Sequence, residues 1–294
     1  MMAFPGDMLK RGERIQADVL LLLVAVIWGS AFVAQRVAAQ RIGVHYFNGL
    51  RFLLAAIFLL LPAWSRLVIW VRAPDRALSG IVLAGLFLFG GTTLQQWGLR
   101  YTTAGNAGFI TGLYVVFIPL ILAFGWRQRL KRTTWAAAIC SAIGLYLLST
   151  EGKFIINRGD ALVLVGALIW ACHVILIGRL VRRIEVLPLA IGQYTVTGML
   201  SLGMSLGFES GTSRSLGDLW WTVAYTGILS VGLGYTLQAV GQKVAPPTDA
   251  AIVLSSEAVF AALSGWLILD ERLSAWQLAG CTMIFVGIIL AQIN

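Results

Sequence analysis

Residues 18–41, DVLLLLVAVIWGSAFVAQRVAAQR, and residues 160–183, DALVLVGALIWACHVILIGRLVRR, together decide the fold. Each opens an apolar run of about the 20 residues that a bilayer requires of a crossing helix. Superposed at a shift of 142 they pair Asp18 with Asp160, Trp28 with Trp170 and Arg41 with Arg183, and the match goes on to Val44 with Val186 and Phe52 with Tyr194. The shift then becomes 143, pairing Thr93-Leu94-Gln95 with Thr236-Leu237-Gln238, Gly98 with Gly241, Arg100 with Lys243 and Asn106 with Asp249. It continues through Phe117 and Phe260, Arg129-Leu130 and Arg272-Leu273, and Gly144 and Gly287. One extra residue in a loop explains the change. Because the matches include Asp, Gln and Trp as well as Leu and Val, they mark an internal repeat and not a chance likeness between two oily runs.

Apolar windows between charged or Pro/Gly breaks predict ten membrane helices, at 18–38, 45–64, 77–98, 103–125, 133–150, 160–179, 187–208, 217–240, 246–268 and 274–293. Loops are short, so 1–294 reads as a single membrane domain made of an N-terminal repeat, 18–150, and a C-terminal repeat, 160–293. Five helices per repeat is an odd number. Equivalent helices must then cross in opposite directions, which gives an all-α integral membrane fold of two inverted five-helix repeats. In such a design each half can take the conformation of the other, producing outward-open and inward-open states from one sequence.

Composition agrees with lipid as the solvent. Charged residues are 12% of the chain and apolar ones 59%, with a mean hydropathy of +0.84; soluble domains carry roughly 25% charge. The net charge of +9 does not indicate nucleic acid, because the Lys and Arg side chains are scattered through short loops and do not form one basic face. With both termini inside, 14 Lys and Arg fall in cytoplasmic segments against 7 outside, so positive-inside bias favours cytoplasmic termini. The short loops suggest a bacterial inner membrane. Lys10, Arg11 and Arg14 before the first apolar run imitate a secretory signal, but the run is too long and lacks a small-residue cleavage site. Cys140, Cys172 and Cys281 lie at unrelated spacings inside apolar stretches and read as packing residues, with no disulfide framework and no metal site. There is no phosphate-binding G-x-x-x-x-G-K-[ST] loop, and no cofactor is expected.

Unpaired polar groups in hydrocarbon cost several kcal/mol, so those at membrane depth should face a partner or a wet cavity. The candidates are Arg51, Gln95, Gln96, Asn106, His173, Gln193, Gln238 and Glu257, in the company of Trp28, Tyr114, Trp170, Tyr194 and Tyr235. Glu257 is mid-span in the ninth helix, with Tyr114 at the equivalent point of the fourth; it either carries a proton, meets a substrate amine, or makes a structural hydrogen bond. His173, one turn after Trp170, either contacts substrate or bridges helices. Arg51, equivalent to Gln193, neutralises a substrate carboxylate, pairs with Glu257, or snorkels to the interface. Trp28, Trp170, Tyr114 and Tyr235 would line a cavity favouring flat or apolar side chains. Trp64, Trp70, Trp126, Trp135, Trp220, Trp221 and Trp276 fall near span ends and read as interfacial anchors. Pairs of glycines four apart, Gly108/Gly112 and Gly203/Gly207, suit close helix approach. Pro119 reads as a hinging kink or as static packing, and Pro246-Pro247 as a kink or a helix start.

At this point the sequence resembles the drug/metabolite transporter superfamily, and within it the EamA-like ten-helix exporters. The resemblance rests on Trp28-Gly29-Ser30-Ala31-Phe32, Arg51-Phe52 and Gly98-Leu99-Arg100-Tyr101-Thr102, and on Glu257 with Phe260, Asp270-Glu271-Arg272-Leu273, Gln277, Gly280 and Gly287. The first half departs from the pattern at Tyr114 and at Trp126-Arg127-Gln128-Arg129. The resemblance implies a central cavity between inverted bundles, and export of amino acids, related metabolites or drug-like molecules, with aromatic amino acids as a first guess. Substrate contacts are expected from Trp28, Gln95, Asn106, Tyr114, Trp170, His173, Gln193, Tyr235, Gln238 and Glu257, with Glu257 and Arg51 in coupling or charge pairing. Expected partners are a small-molecule solute, the lipid bilayer, protons at Glu257 and a second copy as a homodimer. Two alternatives stay open. One is a proton-coupled exporter of lipophilic cations; the other, an intramembrane enzyme using His173 and Glu257, lacks an H-E-x-x-H motif or any cluster of metal ligands.

Overall fold

The computed structural model describes residues 11–71, 77–150, 157–209, 216–269 and 274–292, and among these residues there are helices and no strands. The ten helices are α1 (Arg11–Arg41), α2 (Val44–Val71), α3 (Ala77–Gly98), α4 (Ala104–Gly112, Tyr114–Leu120 and a π-helical end, Ile121–Gly125) and α5 (Arg132–Thr150). They continue with α6 (Arg158–Leu180), α7 (Val186–Phe208), α8 (Gly217–Leu219, Trp220–Tyr225, Thr226–Tyr235 and Thr236–Gly241), α9 (Pro247–Leu254 and Glu257–Leu269) and α10 (Ala275–Gln292). Over the described residues seven of them are both long and apolar enough to cross a membrane, namely α1, α2, α3, α4, α6, α7 and α8. The protein is a multi-pass membrane protein.

Helix starts are set by local chemistry. Asn157 and Asp160 form a reciprocal capping box at the head of α6, each side chain accepting the other's backbone N–H at 3.0 and 2.9 Å. The Thr103 hydroxyl caps the head of α4 by accepting Asn106 N–H at 3.1 Å. Pro247 opens α9 at a position where its missing N–H costs nothing. Several helices outrun their predicted bounds: α1 begins at Arg11 and α2 runs to Val71. Hydropathy finds the part of a helix immersed in oil, while backbone hydrogen bonding carries the helix on through polar residues at its ends.

Packing mirrors the repeat. The main contacts join α5 with α10, α2 with α7, α3 with α6 and α1 with α9; α1 also packs on α8, α4 on α6, and α4 on α9. Exchanging each helix for the one five later leaves this set of pairs unchanged. Where the solvent is lipid, burial alone does not drive helices together, and close packing through small residues does. Gly144 illustrates the closeness, since a Cβ there would stand 2.6 Å from Gly280 O and 2.8 Å from Ile284 N. Gly29 likewise lets α1 touch the α9 backbone, its absent Cβ falling 2.6 Å from Glu257 O. Gly108 and Gly112 do face neighbours, Ala261 and Leu145. Gly203 and Gly207 do not. Nothing lies within 4 Å of where their Cβ atoms would be, so the spacing rule fails there because that face of α7 meets no helix among the described residues.

Of the expected interfacial anchors, Trp126, Trp220, Trp221 and Trp276 are exposed and Trp135 is half-buried. The Arg179 guanidinium lies over the Trp126 ring, 4.0 Å from its centroid. The side chains of Trp64 and Trp70, and the Asp270-Glu271-Arg272-Leu273 segment, lie outside the described residues. All three cysteines are free thiols, partly buried.

Candidate functional site

The two broken helices build the centre of the molecule. α4 is interrupted at Leu113 and α9 at Ser255-Ser256, positions matched by the repeat shift of 143. At the α9 break the hydroxyls of Ser255 and Ser256 donate back to Ile252 O and Val253 O, both at 2.7 Å, satisfying carbonyls that a tightened turn exposes. Each break is followed at once by a candidate side chain, Tyr114 in α4 and Glu257 in α9. These two meet across the interface of the halves, where Tyr114 Oη donates to Glu257 Oε1 at 3.1 Å with both residues buried. Pro119 is buried in the second segment of α4, and the helix widens into its π-helical end directly after it. The proline removes a backbone N–H, which accounts for the irregular winding.

Around that bond lies a cavity lined by eight of the residues picked from sequence: Trp28, Arg51, Gln95, Tyr114, Trp170, Tyr235, Gln238 and Glu257. Its volume is about 30 Å³. That is room for one or two waters, against roughly 300–1,000 Å³ for pockets that hold organic ligands. The cavity as it stands is too small to hold an organic solute.

Arg51 is 2% exposed and does not snorkel. Its Nε donates to Asn48 Oδ1 at 3.0 Å and its Nη1 to Gln35 Oε1 at 2.9 Å, and the guanidinium carbon lies 5.1 and 5.2 Å from the ring centroids of Phe47 and Phe52. Amide oxygens and ring faces thus hold the cation in oil without cancelling its charge. The expected pairing of Arg51 with Glu257 is not made; Glu257 takes its hydrogen bond from Tyr114 instead. Gln95 donates to Thr111 Oγ1 at 3.0 Å, while Gln96, facing away from the cavity, donates to Gln35 O at 2.9 Å. Gln238 gives its amide hydrogen to Gln242 Oε1 at 3.1 Å, and Gln242 in turn donates to Val174 O at 3.0 Å. Among the described residues, the Trp170 indole N–H and the Gln238 carbonyl oxygen are buried without a hydrogen-bond partner. One donor and one acceptor are thereby available at the site.

The aromatic wall centres on Tyr235. Its ring stacks on Trp170, with centroids 5.6 Å apart and planes 15° apart, and meets Trp28 at 4.6 Å and Phe52 at 6.3 Å. Tyr194 stands 6.4 Å away and donates to or accepts from Thr236 Oγ1 at 3.0 Å.

Three of the expected residues stand outside this lining. His173 and Gln193 are fully buried behind the wall and hydrogen-bond to each other, His173 Nε2 donating to Gln193 Oε1 at 2.9 Å while His173 Nδ1 finds no partner among the described residues. His173 meets Trp170 and Tyr235 edge-on at 5.6 and 6.2 Å, so it supports the rings and does not face the cavity. Asn106 sits in the first turn of α4, at the end of the bundle, because the cap at Thr103 starts the helix only three residues earlier. Sequence reasoning also missed Phe32, Gln35, Thr111, Val174 and Ser230, which complete the lining. Gln35 and Thr111 had a legible signal: they lie one or two helical turns from Trp28 and Tyr114, on faces already marked as polar.

The ends of the molecule carry separate polar contacts, most of them between halves. Arg14 pairs with Asp249 at 2.8 Å and donates to Ala291 O at 3.0 Å, joining the heads of α1 and α9 to the tail of α10. At the other end of α1, Arg100 donates to Ala39 O and Ile42 O, both at 3.1 Å, and next to it Thr102 Oγ1 donates to Asp160 Oδ1 at 2.5 Å. Glu209, just after α7, accepts the backbone N–H groups of His45 and Tyr46 at 2.9 and 3.0 Å and so caps the head of α2.

Known proteins share this arrangement. The sequence profile described as the EamA-like transporter family matches twice, over residues 15–150 and 157–292. An uncharacterized transporter of Archaeoglobus fulgidus is 31% identical over 96% of this chain and 87% of its own length. A protein of Salmonella typhimurium named "Probable amino-acid metabolite efflux pump" is 28% identical, with 92% of each chain covered. A solved crystal structure has the same fold, with a TM-score of 0.79 at 20% identity, covering 95% of this chain and 97% of that one. The Archaeoglobus and Salmonella relatives are named as a transporter and an efflux pump, and not as enzymes. With both halves matched, the chain belongs to the EamA-like transporter family, within the drug/metabolite transporter superfamily.

Proposed function

We propose that this chain exports small organic solutes, amino acids and related metabolites foremost, by alternating access through the central cavity. The observation that carries the reading is one cavity facing a buried cation, Arg51, and a buried acid, Glu257, beside a wall of aromatic rings. An amino acid supplies the complements: its carboxylate toward Arg51, its ammonium toward Glu257, and a flat or apolar side chain against Trp28, Trp170 and Tyr235. Gln95, Tyr114, the Trp170 N–H and the Gln238 carbonyl supply further polar contacts. The name of the Salmonella relative supports the same solute class.

The two repeats, 18–150 and 160–293 of one membrane domain, are inverted in this reading. The packing pattern supports it, as does the head of α6 at Asp160 lying beside the residues that hold the tail of α1. Cytoplasmic termini in a bacterial inner membrane accord with the Lys and Arg bias. Glu257 also couples export to protons, binding either a proton or a solute ammonium, with Tyr114 holding the carboxylate in place between the two.

Flux in liposomes tests the proposal. Labelled amino acids and lipophilic cations are followed with and without a pH gradient, for the wild type and for Glu257→Gln. Amino-acid flux that responds to the gradient in the wild type and loses that response in the variant is expected. Flux confined to lipophilic cations would replace the amino-acid reading with a multidrug one, which the buried positive charge of Arg51 disfavours.

A further inference from the structure

The cavity closes on an element with an uncommon winding. Thr226–Tyr235 of α8 is π-helical, a form that is rare and concentrated at functional sites. The stretch ends in Tyr235, the hub of the aromatic wall. Trp28 on α1 braces its middle, the indole Nε1–H donating to Ser230 O at 3.0 Å. The fit is tight, because a Cβ on Gly234 would stand 2.5 Å from that same nitrogen. The residues equivalent under the repeat, 83–92 of α3, are ordinary α-helix. One element of the repeat is therefore present in both windings within a single structure, while the cavity it borders holds about 30 Å³.

We propose that this stretch is the moving part of the cavity. In this structure the π winding holds Tyr235 across the site; rewinding to α-helix withdraws Tyr235 and admits a solute, while residues 83–92 of α3 take the π winding in exchange. Taking one surplus residue out of a helix turns the next turns of the helix by about 100° and shifts them by about 1.5 Å along the axis, enough to move a ring from the cavity to its edge. Trp28 is the positioning residue, since its N–H stabilises the wide winding through a carbonyl that an α-helix would return to its own backbone. The exchange rests on the alternating-access reading, and gives it a local mechanism.

The test measures winding without needing a solute. Trp221 and Val240 flank the stretch in α8 and are 40% and 36% exposed; Leu78 and Trp97, their equivalents in α3, are 59% and 38% exposed. Each pair is changed to cysteine and spin-labelled in a background with Cys140, Cys172 and Cys281 replaced, and its distance is read by pulsed electron resonance in liposomes. Both labels of a pair sit on one helix, so rigid-body motion leaves the distance alone and rewinding changes it. The α3 pair should read about 28 Å, the span of 19 residues of α-helix, and the α8 pair a shorter distance. Trp28→Phe, which keeps a ring but removes the N–H, should move part of the α8 population to the long distance and an equal part of the α3 population to the short one. Equal distances in the two pairs, or two pairs unmoved in a Trp28→Phe protein that elutes as a folded species, would overturn the proposal. Amino-acid flux with fixed windings would sink this inference and leave the transport reading standing; exchanging windings without flux of any tested solute would do the reverse.

Discussion

Replacing Arg51 by glutamine separates recognition of a carboxylate from everything else the site does. In the wild type the guanidinium is held by Asn48 Oδ1, Gln35 Oε1 and two flanking rings, so it presents its charge to the cavity in a fixed place. A hydrogen bond to a charged group contributes about 1.5–3 kcal/mol, and each 1.4 kcal/mol is about tenfold in affinity. Arg51→Gln should therefore lower kcat/KM for phenylalanine by roughly 10- to 150-fold. The glutamine amide can still donate to Gln35 or Asn48, and a buried cation is removed, so thermal stability in detergent should change little. The control is phenylethylamine, which keeps the ring and the ammonium but lacks the carboxylate. Its flux should be unchanged or higher. Equal losses for the acid and the amine would refute carboxylate recognition and return Arg51 to a structural role.

Two further substitutions test packing and capping. Gly29→Ala must push α1 from the α9 backbone, since the added Cβ would lie 2.6 Å from Glu257 O, and should cost about 1–3 kcal/mol by thermal unfolding in detergent; Gly203→Ala, with open space around it, should cost nothing measurable. Asp160→Ala removes one half of the α6 capping box and the acceptor of Thr102, and should lower the unfolding temperature by several degrees, whereas Asp160→Asn should recover part of that loss.

The sequence already contained the helices and the repeat, because immersion in oil and a constant shift of 142 to 143 are properties of the residues themselves. It also contained Glu257, Arg51 and Tyr114, since charge and hydroxyl at membrane depth have few innocent explanations. What it did not contain was direction around each helix. His173 and Gln193 are as polar as Gln95, yet they hydrogen-bond to one another behind the wall, and only the packing of α3 on both α6 and α7 turns them there. Asn106 stands in the first turn of a helix whose start the sequence itself places at 103, so its position at the end of the bundle was legible from those bounds. The breaks at Leu113 and Ser255-Ser256 and the π winding of Thr226–Tyr235 leave still less trace, since small and hydroxyl side chains are equally at home in a straight membrane helix.

Side-specific labelling tests the inverted arrangement most directly. Gln16 and Arg158 are equivalent under the repeat, stand at the heads of α1 and α6, and are both exposed. Single cysteines at these positions, treated in intact cells and in inverted vesicles with a thiol reagent that cannot cross the membrane, should react from opposite sides, Gln16→Cys from the cytoplasm and Arg158→Cys from outside. Reaction of both from the same side would contradict the account, for the exchange of conformations between the halves requires them to cross the membrane in opposite senses.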